Sequence, residues 1–215
     1  MTECSGLLLI DTDMLILLLA SDMLERVAES LGYSPLQLRR LSAVPHQIRK
    51  SKRFRDNYGQ AILQRIEPMV AAIPEADAPI DLELLDTLKS FVDEGEAQLM
   101  ALAAAQQCTL LISGDKRAIA GLVKSGVTEC IDALRGKVVS LEAVLWILLE
   151  KLTALEVRDA FRPVLDYSTL RIVLSDHAIA DRARCLEGIR SYYEDLYRGA
   201  SGVLYNPSAS YLGIS

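Results

Sequence analysis

Two short apolar runs, far apart in the chain, each lead into an aspartate. Leu7-Leu8-Leu9-Ile10 is followed by Asp11-Thr12-Asp13, and Leu110-Leu111-Ile112-Ser113-Gly114 by Asp115-Lys116-Arg117. An uninterrupted apolar run of roughly four to eight residues reads as a strand covered on both faces, the usual state in a parallel sheet. Ligands of open parallel sheets sit beyond the carboxyl ends of the strands, which is where Asp11 and Asp115 fall. Two carboxylates at one crevice repel each other, and a cation relieves that repulsion. Hard oxygen donors suit Mg²⁺ or Mn²⁺.

The segments between and after these runs alternate in the way an α/β chain requires. Residues 95–107 form a helix rich in Ala, Leu and Gln, with Glu96 in the first turn, where the macrodipole favours an acid. Residues 115–123 read as another helix, Lys137-Val138-Val139-Ser140 as a third parallel strand, and residues 141–152 as a helix apolar almost all round and therefore buried. The alternation predicts an α/β fold, three layers α/β/α around a central, mostly parallel sheet. Ser34-Pro35 is expected to open a helix with Leu36, Leu38 and Leu41 inward. After about residue 152 the pattern changes, which divides the chain into an α/β domain over 5–150 and a C-terminal helical extension over 151–215. In that extension residues 169–175 read as a short strand and 177–198 as a long amphipathic helix. The uncharged tail that follows is either flexible or docked through Leu204, Tyr205 and Tyr211.

Composition narrows the functional classes. With 51% apolar residues in 215, the chain can bury a large core. Its most apolar stretch, 7–20, is interrupted by Asp11, Thr12 and Asp13 and has no basic residues ahead of it, so neither a membrane span nor a signal peptide is expected. Cys4, Cys108, Cys130 and Cys185 form no CxxC pair and have no nearby His, the pattern of reduced thiols in a cytoplasmic protein rather than of a zinc site. Gly-rich phosphate loops are absent, and His46 and His177 have no Ser or Cys partner pattern.

Net charge is −6, yet Arg39, Arg40, Arg49, Lys50, Lys52, Arg53 and Arg55 crowd one segment without an acid. Screening limits the reach of distant charges to about 10 Å, so such a patch can bind phosphates on an acidic protein. A solvated helix or loop face is the alternative.

The acids have two readings as well. Asp11 is the expected metal ligand, with Asp13 capping or secondary; both could be helix caps. Asp93, Glu94 and Glu96 form a negative cluster at a helix start, which the dipole alone would favour. Asp115 could cap the helix from Lys116, while Lys116 and Arg117 could hold a phosphate.

Three of these places together resemble the PIN-domain superfamily, the metal-dependent ribonucleases that include the VapC toxins. LLLIDTDMLILL resembles the family's first strand with its aspartate at Asp11. Gly95-Glu96-Ala97-Gln98-Leu99-Met100-Ala101-Leu102-Ala103 resembles the GEAEAIALA form of its central acidic helix and points to Glu96. LLISGDKRAI resembles its third motif and points to Asp115. The resemblance covers roughly residues 5–150. It implies Mg²⁺- or Mn²⁺-dependent hydrolysis of RNA phosphodiesters, with Asp11, Glu96 and Asp115 as catalytic metal ligands and Asp13, Asp93 and Glu94 as additional acids. Arg39–Arg55, Lys116 and Arg117 would grip the nucleic acid. Further implied are an antitoxin or other protein partner and a homodimer, for which the 177–198 helix offers an apolar face. One place departs from the family: where a helical glutamate is usual, the chain reads SPLQLRRLSAVPHQIRKSKR, and the later acid is represented only by Asp132. That departure sets two alternatives beside the ribonuclease, a PIN-like interaction module without catalysis and a structure-specific DNA nuclease.

Overall fold

The computed structural model describes residues 6–165, 168–175, 179 and 181–208; Cys4, His177 and Tyr211 lie outside them. Four strands form one all-parallel sheet: β1 (Leu8–Ile10), β2 (Leu38–Arg39), β3 (Leu110–Ile112) and β4 (Val138–Val139), in the spatial order β2-β1-β3-β4. The register sets Leu8 opposite Leu110 and Ile10 opposite Ile112. Parallel neighbours need long crossovers, and helices supply them. The chain is therefore α/β, and its sheet, covered by helices, is consistent with three layers.

The chain steps from β1 to β2 on one side, then returns across β1 to lay down β3 on the other. Strand order thus reverses between β1 and β3, and a crevice opens beyond the carboxyl ends of those two strands. Helices start at that edge. α1 (Thr12–Ala20) follows β1, α8 (Lys116–Ser125) follows β3, and α10 (Leu141–Lys151) follows β4. α7 (Glu94–Ala105) packs against both β1 and β3.

Two helices are apolar all round, and both are buried accordingly. In α1 every residue from Met14 to Ala20 is buried. It packs against α2 (Leu24–Ser30) and α5 (Gln60–Ala72). In α10 every residue from Leu141 to Leu149 is buried. It is covered by α2, by α11 (Ala154–Phe161) and above all by α13 (Arg182–Arg198). Tyr193 of α13 meets Trp146 edge-on, ring centroids 5.5 Å apart, and Arg190 lies 4.9 Å over the same indole. Residues beyond 151 share the core of the sheet: Val157, Phe161, Leu170 and Ile189 belong to the same buried cluster as Leu8 and Ile112. After α13 the chain returns to the sheet edge, where the Val138 amide donates to Val203 O (2.9 Å) and the Tyr205 amide to Val138 O (2.8 Å). An edge strand left open would invite pairing with another chain; here the protein's own C-terminal segment pairs with it.

Two local expectations are corrected. Ser34-Pro35 opens only a 3₁₀ turn, Pro35–Gln37, which leads directly into β2; Leu36 is 83% exposed instead of inward. The expected strand over 169–175 is the helix α12 (Ser168–Val173). Thr, Ile and Val there suggest a strand. Burial follows the helical spacing instead, with Leu170, Val173 and Leu174 inside and Ile172 exposed. Among the described residues, no helix is long and apolar enough to cross a membrane.

Candidate functional site

Asp11 ends β1 and starts α1. The first turn of a helix leaves amides without intrahelical partners, and Asp11 Oδ1 accepts one from Met14 (2.6 Å). Its Oδ2 accepts the Gly114 amide (2.9 Å), which ties the end of β1 to the loop after β3. The capping role considered for Asp13 therefore falls to Asp11. Burial pushes the Asp11 carboxyl up to about 6, against the pull of the Met14 and Gly114 amides and the Ser113 hydroxyl, with Asp13 adding repulsion.

Asp115 occupies the same position after β3. Its Oδ1 accepts the amides of Arg117 (2.7 Å) and Ala118 (3.2 Å), capping α8. Asp93 repeats the device at α7: its Oδ1 accepts the Glu96 amide (3.0 Å), and Glu96 Oε2 accepts the Asp93 amide (3.3 Å), a reciprocal capping box. Three helix N-termini thus present their positive dipole ends and their capping acids to one place. The capping and site readings of these acids, alternatives in the sequence, are compatible in the fold.

What caps alone do not require is that the acids meet. The Glu96 and Asp115 carboxyls face the same cavity, near enough to shift each other's titration. Glu96 is pushed up to about 8, by burial first and then by the neighbouring carboxyls of Asp115 and Asp93. Burial raises Asp115 too, but the neighbouring Glu96 carboxyl and the Ala118 and Arg117 amides outweigh it and hold Asp115 below the ordinary carboxylate value. Of the two, Glu96 is the one whose neutral form is favoured.

These groups line a cavity of about 730 Å³. Asp11, Asp13, Asp93, Glu94, Glu96 and Asp115 all face it, with Gly114 between the strand ends. The opposite wall comes from α3 (Val44–Lys50) and α4 (Lys52–Tyr58) through Gln47, Ser51, Arg53, Phe54 and Asn57. Contacts cross the gap: the Thr12 hydroxyl donates to Gln47 Oε1 (3.1 Å), and Arg53 Nη2 donates to Asp13 Oδ2 (2.8 Å). The Tyr58 hydroxyl lies 3.4 Å from Asp13 Oδ1. Burial raises the Asp13 pKa, with Arg53 and Tyr58 pulling against it. Gln47, Ser51 and Asn57 escape sequence reasoning because nothing in their local spacing says that α3 and α4 fold back over the strand ends.

The cations of the basic segment separate by environment. Arg40 is buried, donating to Val70 O (2.9 Å) and Leu41 O (3.0 Å) and pairing with Glu75. It is a structural tie between β2 and the end of α5, not a free phosphate donor. Arg39 donates to Leu36 O and Leu38 O, Arg55 to Arg49 O and Lys50 O, and Arg49 pairs with Glu67. Lys50 and Lys52 are exposed and outside the cavity wall. Of the segment's cations, Arg53 alone lines the cavity, joined there by Arg117 from α8. Lys116 points elsewhere, with its ammonium 2.6 Å from Oε1 of the buried Glu142. That approach is an ion contact without hydrogen-bond alignment. Asp132 pairs with Arg135 on the surface (2.5 Å) and does not line the cavity, and Glu94 pairs with Lys89 (3.2 Å).

Among the described residues, no group of three His, Cys, Asp or Glu side chains could hold a metal ion as it stands. Arg53 offsets the charge of Asp13, and burial with the neighbouring acids raises Glu96, so the cluster carries less negative charge than its number of acids implies. Comparison with protein-family models, with curated proteins and with solved structures gives no match for this chain.

Proposed function

We propose that this protein is a divergent PIN-like nuclease that hydrolyses RNA phosphodiester bonds with a carboxylate-held Mg²⁺ or Mn²⁺. The observation that carries the reading is that Asp11, Asp13, Glu96 and Asp115 converge on one cavity, where burial and the neighbouring acids raise Glu96. Paired carboxylates need a proton or a cation between them, and a cation of higher charge can displace the proton. The donor chemistry fits a hard ion. Mg²⁺ keeps several of its waters and is usually held by one or two carboxylates, so a pair is enough. Asp115 and Glu96 would hold it, with Asp11 next in reach of the same cavity. Such an ion would supply an activated water and neutralise charge developing on the phosphate.

The chain's own residues do the rest. Asp11 fixes the Gly114 loop, and through it the position of Asp115. Arg53 and Arg117 place positive charge at the rim, where a phosphate backbone would bind with salt-sensitive affinity that is largely independent of sequence. The test is cleavage of single-stranded RNA. Wild type is expected to cut in the presence of Mg²⁺ or Mn²⁺ and Asp115→Asn is not. Equal cleavage by both overturns the proposal, and a preference for branched or single-stranded DNA moves the substrate class.

One observation favours a second reading. Asp11, Asp93 and Asp115 each already serve as helix caps, so a PIN-like interaction module without catalysis would keep them too. Titration with Mn²⁺ separates the readings, because a ligand of the native state raises the melting temperature. No shift at millimolar metal favours the module.

A further inference from the structure

Arg53 and Asp13 hold each other across the mouth of the cavity. Their contact is short, 2.8 Å, but open to water: the arginine side chain is 62% exposed and the aspartate 32%. Exposed pairs of this kind contribute little to stability, so a competing anion can take the guanidinium. Arg53 has a second support. Its guanidinium lies 4.8 Å over the ring of Phe54, which is buried and cannot follow it into solvent. A guanidinium stacked on a ring keeps its place while its N–H edge changes partner. Helix stability does not account for the residue, since Arg53 sits in the first turn of α4, where the dipole disfavours a cation.

The other arginines of the segment make the contrast. Arg40 is locked by buried carbonyls, Arg39 and Arg55 are spent on backbone oxygens, and none of the three lines the cavity. The cavity's acids repel a polyanion unless a cation at the rim offsets them, and a bidentate guanidinium matches a phosphate.

We propose that Arg53 is the residue of this cavity that binds a phosphodiester, and that Asp13 holds it as a latch: an entering phosphate displaces Asp13 from the guanidinium, which stays on Phe54. The proposal rests on the nuclease reading for its ligand class and adds the exchange of partners. No covalent step is involved. Asp13, released, returns its negative charge to the acid cluster.

The experiment measures binding of a fluorescein-labelled single-stranded RNA in the Asp115→Asn background, which keeps the strand intact. Four proteins are compared, with and without Arg53→Gln and with and without Asp13→Asn, over a range of salt. Arg53→Gln is expected to weaken binding about five- to tenfold and to reduce the slope of log affinity against log salt by about 0.7. Asp13→Asn is expected to tighten binding about threefold where Arg53 is present, and to have almost no effect where it is Gln. Arg53→Lys, which keeps the charge but not the bidentate edge, is expected to bind between wild type and Arg53→Gln, and Arg53→Gln binding as tightly as its parent overturns the binding role. An equal effect of Asp13→Asn in both backgrounds overturns the latch and leaves the nucleic-acid reading standing. No binding by any of the four overturns both.

Discussion

The carboxyl groups of Glu96 and Asp115 face one cavity, and their proximity helps to raise Glu96 and to lower Asp115. Glu96 stands in the first turn of α7 and Asp115 caps α8, so the cavity brings together two helix N-termini that lie far apart in the chain. Neither helix needs this proximity to form. It exists because α7 lies across β1 and β3 and brings its N-terminus to the end of β3.

A pH dependence follows, and its sign is fixed by the direction of the shifts. Glu96 is raised from 4.5 to about 8 and Asp11 from 3.8 to about 6. Between the ordinary and raised values the native state holds more protons than the unfolded chain, so stability falls as pH rises. The metal-free protein should lose stability progressively from about pH 4 to about pH 8. Asp115, lowered, acts oppositely, but its contribution is lost only as pH falls below 3.8. Glu96→Gln keeps a neutral partner for Asp115 and should flatten the upper part of the profile. In EDTA at pH 8 to 9 its melting temperature should exceed that of wild type by a few degrees, on the scale of about 2–4 °C per kcal/mol for a chain this long. Thermal melts from pH 5 to 9 decide it, and parallel profiles for the two proteins would contradict the assignment.

Metal should reverse that order. An ion held by Glu96 and Asp115 replaces the proton, so Mn²⁺ should stabilise wild type most at high pH, by roughly RT ln(1 + [L]/Kd). Asp115→Asn should lose this response while melting close to wild type without metal, because Asn caps a helix about as well as Asp. Asp115→Ala should instead lose about 0.5–2 kcal/mol with the cap. Calorimetry with and without metal separates the ligand from the cap.

Asp11→Asn should behave differently from Asp115→Asn. Both Asp11 oxygens accept backbone amides, from Met14 and Gly114. An asparagine amide can accept only one, and its NH₂ would face the other donor in a buried site. The expected cost is about 1–3 kcal/mol, visible in chemical denaturation without any metal. A variant as stable as wild type would mean that the Gly114 amide finds water.

The strand ends were readable because buried parallel strands are plain apolar runs and the residue that follows each is polar. Asp11 and Asp115 could be placed at one edge on that basis, and Glu96 only through the resemblance of its segment to a family motif. β2 was not readable: it is two residues long, and Arg39 is polar, so no periodicity marks it. Its neighbour Arg40 reads as surface charge in sequence and is buried in the fold, since only the approach of Val70 and Glu75 supplies its partners. The cavity's second wall needs α3 and α4, packed on α5, to come up to the start of α1, a fact of tertiary packing that Gln47, Ser51 and Asn57 do not announce.

Lys116 and Glu142 were equally hidden, and they allow the sharpest test of packing beside the cavity. Glu142 is 1% exposed, in the first turn of α10, and its Oε1 is 2.6 Å from Lys116 Nζ, while the same ammonium lies 5.9 Å from the Tyr192 ring of α13. The pair therefore ties the first turn of α8, next to Asp115, to both α10 and the C-terminal helix. Removing one member of a buried pair strands the other charge, whereas replacing both with apolar groups can be nearly neutral. Lys116→Met alone should cost about 3 kcal/mol, the low end of the range because the lysine itself is half exposed. Lys116→Met combined with Glu142→Met should recover most of that loss. Denaturant unfolding of the two single variants and the double variant gives the coupling directly. Additive losses would mean that the two residues act independently; a large coupling with unchanged RNA binding would assign Lys116 to the architecture of the cavity rather than to its ligand.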